Sequence, residues 1–319
     1  MGSISVVIPV KDDPRVIACV ESVLAAAPED VRVEVIVVDN GSTAAFSASL
    51  GTSLPKGVKL LHDPLPGVYR ARNLGVAAAS GEVVFFTDAD CLVRPGWIAA
   101  GLEMLESGAG IVQGQSGSAG FDPASRLLQR RYDAHLKRLN PGDGTETDTR
   151  NLAVRRQVFD TVRFNENYRR VSDTEFGLVA EARGSRVAYA PAMRVDHDHD
   201  PDLLVFVAKQ VCHGWGAQRL MREHPEVRWH GGHLKLVARL SDRIAPLPGS
   251  RALAWLCERS VLGGAWLLQR CAGRLPESAG FAWLTALDKL AALAGHFSYR
   301  PGAPEPSPSG ILGRRLARD

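Results

Sequence analysis

The sequence predicts an α/β protein with a mostly parallel central sheet flanked by helices, followed by a C-terminal helical extension. Three observations carry this prediction. Strand-length apolar runs alternate with amphipathic helical segments through the first part of the chain. Those runs are apolar on both faces, which marks strands buried between layers of helices. From Pro201 onward the periodicity becomes helical only.

Ile4–Val10 reads as the first strand, and Asp13-Pro14 then supplies an N-cap and a first-turn proline for a helix carrying Ile17, Val20, Val23 and Leu24. Val33–Val38 is a second strand ending in Asp39-Asn40-Gly41-Ser42. Val58–Leu61 is a third, broken by His62-Asp63-Pro64. A helix from about Val68 to Ala79 stops at Gly81, and the next strand, from Val83, runs into Asp88 and Asp90. In sheets of this kind ligands bind beyond the carboxyl ends of the strands, where Asp39, Asp88 and Asp90 all fall.

Composition permits a large folded enzyme. The chain has 319 residues, 45% of them hydrophobic. Its five cysteines show no CxxC pairing, which argues against a disulfide framework or a structural zinc site and suits a reducing cytoplasm. The N-terminus lacks a basic segment followed by a small-residue cleavage site, and no apolar run reaches the ~18 residues of a spanning helix. Neither secretion nor insertion is expected, and the localisation read here is cytoplasmic, with peripheral contact at the inner face of the membrane as an option. Charge is uneven: residues 1–200 hold 22 Lys/Arg against 26 Asp/Glu, whereas residues 201–319 hold 16 against 9. No dense Lys/Arg run with interleaved aromatics is present, so nucleic acid is not an expected partner.

The stretch VVFFTDAD, residues 83–90, delivers two carboxylates at a spacing of two. In an extended strand these would point to one side and could grip one cation together, whereas a surface turn would leave them as two solvated acids. The turn after the first strand reads Lys11-Asp12-Asp13-Pro14-Arg15, so there is no GxGxxG, and no GxxxxGK[ST] occurs anywhere. With both phosphate cradles missing, a divalent cation is the natural substitute for balancing phosphate charge.

The segments SISVVIPVKDD, VEVIVVDNGS, GVYRARNLGVAAASGEVVFFTDADC, TRNLAVRR, VSDTEFGLVAEARG and YAPAMRVDHDH, in this order, resemble the motifs of family 2 glycosyltransferases over residues 3 to about 200. The resemblance implies a GT-A fold, a nucleoside-diphosphate sugar donor, Mn²⁺ or Mg²⁺ as cofactor, and a hydroxyl acceptor that is a glycan, a lipid-linked sugar or a small molecule. It implies a nucleotide-sugar site made by Pro9, Val10, Asp39, Arg72, Asn73, Asp88 and Asn151, with metal held by Asp90, Asp88 and His197. His199 is the second choice for the histidine. An inverting mechanism needs a base, and the family's acidic pair at a helix start corresponds to Ser172-Asp173, so Asp173 is the expected base, with Glu175 as its substitute. Ser172 stands where the family usually has glutamate. From its position alone Asp173 equally reads as the N-cap of a helix from Thr174 to Arg183.

The expected organisation is a GT-A catalytic domain over 1–200, with a nucleotide-sugar half of about 1–115 and an acceptor half of about 116–200. An amphipathic helical region follows over 201–299, then a disordered tail over 300–319 rich in Pro301, Pro304, Pro306 and Pro308. Residues 115–148, with Gly117, Gly120, Gly142 and Gly144, read as a mobile loop. Helices are expected at 202–224 and at about 251–274. Trp215, Trp229, Trp255, Trp266 and Trp283 lie in this basic region, which suits a membrane interface, packing on the catalytic domain or a homodimer. Two other functions compete: a sugar-phosphate nucleotidyltransferase, which would carry a Gly- and Arg-rich loop after the first strand, and a non-catalytic carbohydrate-binding or scaffold protein, to which Ser172 lends weight.

Overall fold

A computed structural model describes residues 2–118, 120, 122–136, 147–198, 202–225, 243 and 249–316. The chain divides into two compact units. One comprises Met1–Ala119, Arg138–Asn167 and Ser172–Asp198, and the other Gly120–Lys137, Tyr168–Val171 and His199–Asp319. The segments Gly120–Lys137 and Tyr168–Val171 group with the C-terminal helices, although the sequence reading places them in the acceptor half of the catalytic domain.

The first unit is built on strands β1 Ser3–Val10, β2 Arg32–Asn40, β3 Lys59–Asp63, β4 Val83–Thr87, β5 Cys91–Val93, β6 Ile111–Ser118, β7 Asn151–Arg155 and β8 Val187–His197. They form an eight-stranded sheet in the order β3-β2-β1-β4-β7-β6-β8-β5. Pairing is parallel from β3 to β4 and between β6 and β8, and antiparallel where β7 and β5 insert. This is the expected α/β architecture. Its helices are α1 Val16–Ala25, α2 Ala44–Ser53, α3 Val68–Ala78, α4 Trp97–Glu106 and α6 Ser172–Ala182. Helix α1 starts two residues later than Asp13-Pro14 suggests, because Asp13 turns back to accept from the Arg15 amide at 3.0 Å.

Helix α3 lies close against β1 because Gly75 has no side chain. A Cβ there would stand 2.3 Å from Val7 Cγ1, so the helix could not keep this approach with alanine. Behind it Ile4, Val6, Ile8, Val35, Val37 and Phe85 form part of a fully buried core.

The second unit is helical: α5 Pro123–Leu136, α7 Leu203–Glu223, α8 Ser250–Cys271, α9 Glu277–Ser298 and α10 Pro308–Leu316. Its core is made by Leu127, Val207, Val211, Leu262, Leu268 and Leu284 among others. Helix α7 begins at an Asp202 cap that accepts from the Leu204 and Val205 amides. Two expectations are corrected here. Of residues 115–148, the stretch to Ser118 is strand and 123–136 is helix; Gly142 and Gly144 lie outside the described residues. The tail is not structureless: α10 forms within it and buries Ile311 in the helical core, an apolar anchor that the prolines before it conceal. Among the described residues no helix is long and apolar enough to cross a membrane.

Candidate active site

A single helix of the first unit, α3, ties two acids of the site down. Its residues Tyr69 and Arg72 are three apart and share a face. Arg72 Nη2 donates to Asp88 Oδ1 at 2.7 Å, and the Tyr69 hydroxyl donates to Asp173 Oδ1 at 3.1 Å. Arg72 is buried, and its Nε has no hydrogen-bond partner in the protein. An orphaned guanidinium N–H beside two carboxylates is a group that an anionic ligand would satisfy.

The acid pair is arranged differently from the strand reading. Strand β4 ends at Thr87, and Asp88-Ala89-Asp90 form a tight turn closed by the Cys91 amide donating to the Asp88 carbonyl at 3.1 Å. Strand alternation therefore does not govern the pair. Asp88 goes to Arg72, whereas Asp90 Oδ2 lies 3.2 Å from His197 Nε2.

Sheet pairing brings Asp90 and His197 together across 107 positions of sequence. Strand β5 runs antiparallel to β8 with Cys91 opposite His197, and the Asp198 amide donates to the Asp90 carbonyl at 2.9 Å. Arg150 Nη1 is 3.2 Å from His197 Nδ1. Arginine can only donate, so Nδ1 accepts and the ring proton sits on Nε2, facing Asp90. Burial pushes the Asp90 carboxyl up, but the hydrogen bond from His197, with the charges of Arg15 and Arg150, brings it down to about 2. Asp90 is thus a fixed anion.

Asp90, Cys91 and His197 are the group among the described residues whose ligand atoms lie close enough, within 4.8 Å, to hold a metal. Burial, then the charges of Asp88 and Asp90, push the Cys91 thiol well above its ordinary range, so it stays protonated until a cation binds. A carboxylate and an imidazole fit a borderline ion of the Mn²⁺ type better than an all-oxygen Mg²⁺ site. Asp88, expected as a second ligand, is outside that group and engaged with Arg72.

Asp173 lies in the first turn of α6, not at its cap, and Ser172 is already helical. Burial, then the neighbouring charge of Asp148, raises the Asp173 carboxyl above the usual aspartate range. Arg72, the Thr174 amide and Tyr69 oppose that rise only in part. Val171, just before the helix, has φ of 61°, a conformation rarely adopted by a β-branched residue. Ser172 accepts from the Asn165 amide at 2.7 Å, and Glu175, the substitute base, is buried and takes Asn165 Nδ2 at 3.1 Å. Phe164 and Phe176 pack at 4.6 Å between ring centroids, which holds α6 against the segment that α3 grips.

Other expected site residues have structural engagements. Asn73 pairs with both backbone groups of Phe164, at 2.8 and 3.2 Å. Asn151 is fully buried. Its amide donates to the Gln115 and Met193 carbonyls and accepts from Trp97 Nε1, each at 2.8 Å, which leaves no group for a ligand. Its neighbour Arg150 is the residue that reaches the His197 cluster. Pro9 and Val10 end β1 beside Val38 and Asp39 of β2. Asp39 is buried at that rim, with Ser42, Ser47 and His62 all bonded to its carboxylate. His199 lies outside the described residues. Sequence reading missed Tyr69, Arg15 and Arg150. The i, i+3 spacing of Tyr69 and Arg72 is a visible signal for the first, but nothing local marks the other two.

A family model described as Glycosyl transferase family 2 matches residues 5–170. The chain is 30% identical over 167 residues to the glycosyltransferase AglE of Haloferax volcanii, covering 50% of this chain and 54% of that protein. It is 26% identical over 239 residues to the pre-mycofactocin glycosyltransferase of Mycobacterium tuberculosis, covering 70% and 46%. It thus spans about half the length of these curated relatives. Two solved structures share the fold. The mannosyltransferase PcManGT of Pyrobaculum calidifontis, in complex with GDP-Man and Mn²⁺, has a TM-score of 0.60 at 18% identity, covering 92% of this chain and 85% of that one. TarS 1–349 of S. aureus has a TM-score of 0.51 at 15% identity, covering 95% and 92%. The α/β fold is therefore that of the GT-A glycosyltransferases, and with the family model matching just over half of its length, the chain belongs to glycosyl transferase family 2.

Proposed function

We propose that this protein transfers a sugar from a nucleoside-diphosphate donor to a hydroxyl acceptor, with inversion and with a divalent cation. The observation that carries the reading is the double hold of α3: Arg72 on Asp88 and Tyr69 on Asp173 fix an acid of the DxD turn and a basic carboxylate on one rigid element.

Breaking the bond from the anomeric carbon to phosphate concentrates charge on the departing diphosphate, so fixed positive groups there favour the transition state over the ground state. Arg72, with its unbonded Nε, and Arg15, whose Nη2 is 3.8 Å from Asp90, are positioned for that role. Asp90 and His197 are the residues that would hold the cation, whose charge, when bound, stabilises the same leaving group. For His197 to hold a cation it would have to offer a ring nitrogen that now faces Asp90 or Arg150.

Asp173 supplies the base. Its raised proton affinity makes it, when ionised, a better acceptor for the hydroxyl proton than a solvated aspartate, and Arg72 and Tyr69 beside it favour the ionised form. Asp39, at the end of β2 beside Pro9 and Val10, is the candidate for the nucleoside pocket. Ser172, which stands where the family usually has glutamate, has a local role here, accepting from the Asn165 amide. The test is a thermal-shift screen of UDP-, GDP- and dTDP-sugars with and without Mn²⁺. Stabilisation by one donor that depends on Mn²⁺ and is lost in Asp90→Ala supports the reading. Cation-independent stabilisation that Asp90→Ala leaves intact contradicts the metal assignment.

A further inference from the structure

Helix α8 is apolar on both sides. Val261, Leu262, Ala265 and Leu268 face the core of the second unit, whereas Leu253, Trp255, Leu256, Trp266 and Leu267 are each between 37% and 54% exposed. At 3.6 residues per turn these five fall within an arc of about 160° along a helix roughly 33 Å long. Water-facing helices of globular proteins carry polar residues at such positions. Here Leu253, Trp255 and Leu256 near one end and Trp266 and Leu267 near the other form two apolar patches on one side, with exposed Ser260 and Gly263 between them. Such patches mark a surface that is covered in use.

The chemistry of the stripe selects the cover. Arg259 and Arg270 fall between the tryptophan row and the leucine row. Their guanidinium groups lie over the rings of Trp255 and Trp266, at 5.6 and 3.9 Å from the centroids. Arg251 is exposed at the start of the helix, and Glu258, the helix's one acid, is buried. The exposed side of α8 therefore offers aliphatic bulk, indole rings and positive charge, with no carboxylate. A protein surface of matching area would have to cover three arginines with acids. A bilayer bearing anionic headgroups supplies phosphate oxygens at the depth of the tryptophan–arginine row and hydrocarbon at the depth of the leucine row.

We infer that the exposed side of α8 binds the surface of an anionic bilayer, with Leu253, Leu256 and Leu267 entering the acyl boundary and Arg259 and Arg270 engaging lipid phosphates. The helix lies in the interface and does not span it. The inference does not depend on the glycosyl-transfer reading, because it concerns the second unit by itself.

The test is co-sedimentation of the full chain with phosphatidylcholine vesicles containing 0 or 30% phosphatidylglycerol, beside light-scattering mass measurement without lipid. Binding at least tenfold tighter to the anionic vesicles and weakened by salt is the expected result. The variant Trp255→Ser/Leu256→Ser/Trp266→Ser/Leu267→Ser should lose at least tenfold of it with an unchanged circular dichroism spectrum, and Arg259→Gln/Arg270→Gln should lose the preference for anionic lipid. Should the serine variant fail to fold, quenching of the native chain by brominated lipid decides: quenching that falls in Trp255→Phe/Trp266→Phe supports the inference, and its absence overturns it. A chain that ignores both vesicle types, or a dimer that the serine variant dissociates while vesicle binding is unchanged, overturns it as well.

Discussion

Arginine does opposite work in the two units. In the first, Arg72 is buried and locked to Asp88, and Arg150 is held between Asp148 and His197, so each guanidinium has one geometry dictated by a carboxylate. In the second, the guanidinium groups of half-buried Arg259 and exposed Arg270 lie over the indole rings of Trp255 and Trp266, where the aromatic face orients the charge. The difference teaches that a guanidinium paired inside a site serves placement, whereas one stacked on an exposed ring keeps its charge available to a partner.

The comparison breaks most severely at Asp90. Asp90→Ala removes the anion that pairs with His197 and that lies 3.8 Å from Arg15 Nη2 at the DxD turn. Turnover should fall by about a thousandfold, with Mn²⁺-dependent donor binding lost in calorimetry. Arg72→Met is next. It strands Asp88, and since Asp88 is about a third exposed on its side chain, the loss of stability should be about 2 kcal/mol, below the ~3–5 kcal/mol of a fully buried pair, measured by chemical denaturation. Tyr69→Phe removes one hydrogen bond from Asp173 and should lower kcat by about tenfold with KM for donor little changed.

A pH profile sharpens the same contrast. The folded protein raises the Asp173 carboxyl, so this group adds stability below its unfolded pKa and withdraws it as pH rises through the folded value. Activity has the opposite sense, because the base works only when ionised. The acid limb of kcat/KM should therefore lie above the ordinary aspartate range near pH 4, and Asp173→Asn should abolish that limb while leaving stability at neutral pH equal or higher. The smallest effect is expected for the serine variant of α8, whose turnover on a soluble acceptor should match that of the parent chain.

Much of this was legible in sequence because strands and helices write their own periodicity. The apolar runs of β1, β2 and β4 and the acids at their ends are local features, and so are α7 and α8. What was not legible depends on distance. Strand β4 stops at Thr87 because a turn, not the strand, carries Asp88 and Asp90, and only the β5–β8 pairing sets His197 against Asp90. Asn151 was read as a ligand and Arg150 passed over, a slip of one residue at the start of β7 that exchanges a buried amide for the arginine reaching His197. The final helix was hidden because prolines signal breakage, whereas the burial of Ile311 depends on helices far away in sequence.

The central claim is that Asp173 is the base, held by Tyr69 from the helix whose Arg72 holds Asp88. Single-turnover transfer by Asp173→Asn, with donor affinity measured in the same preparation, tests it most directly. Unchanged donor affinity with transfer reduced by at least a hundredfold is the predicted result. Transfer at the parental rate with donor bound would contradict it.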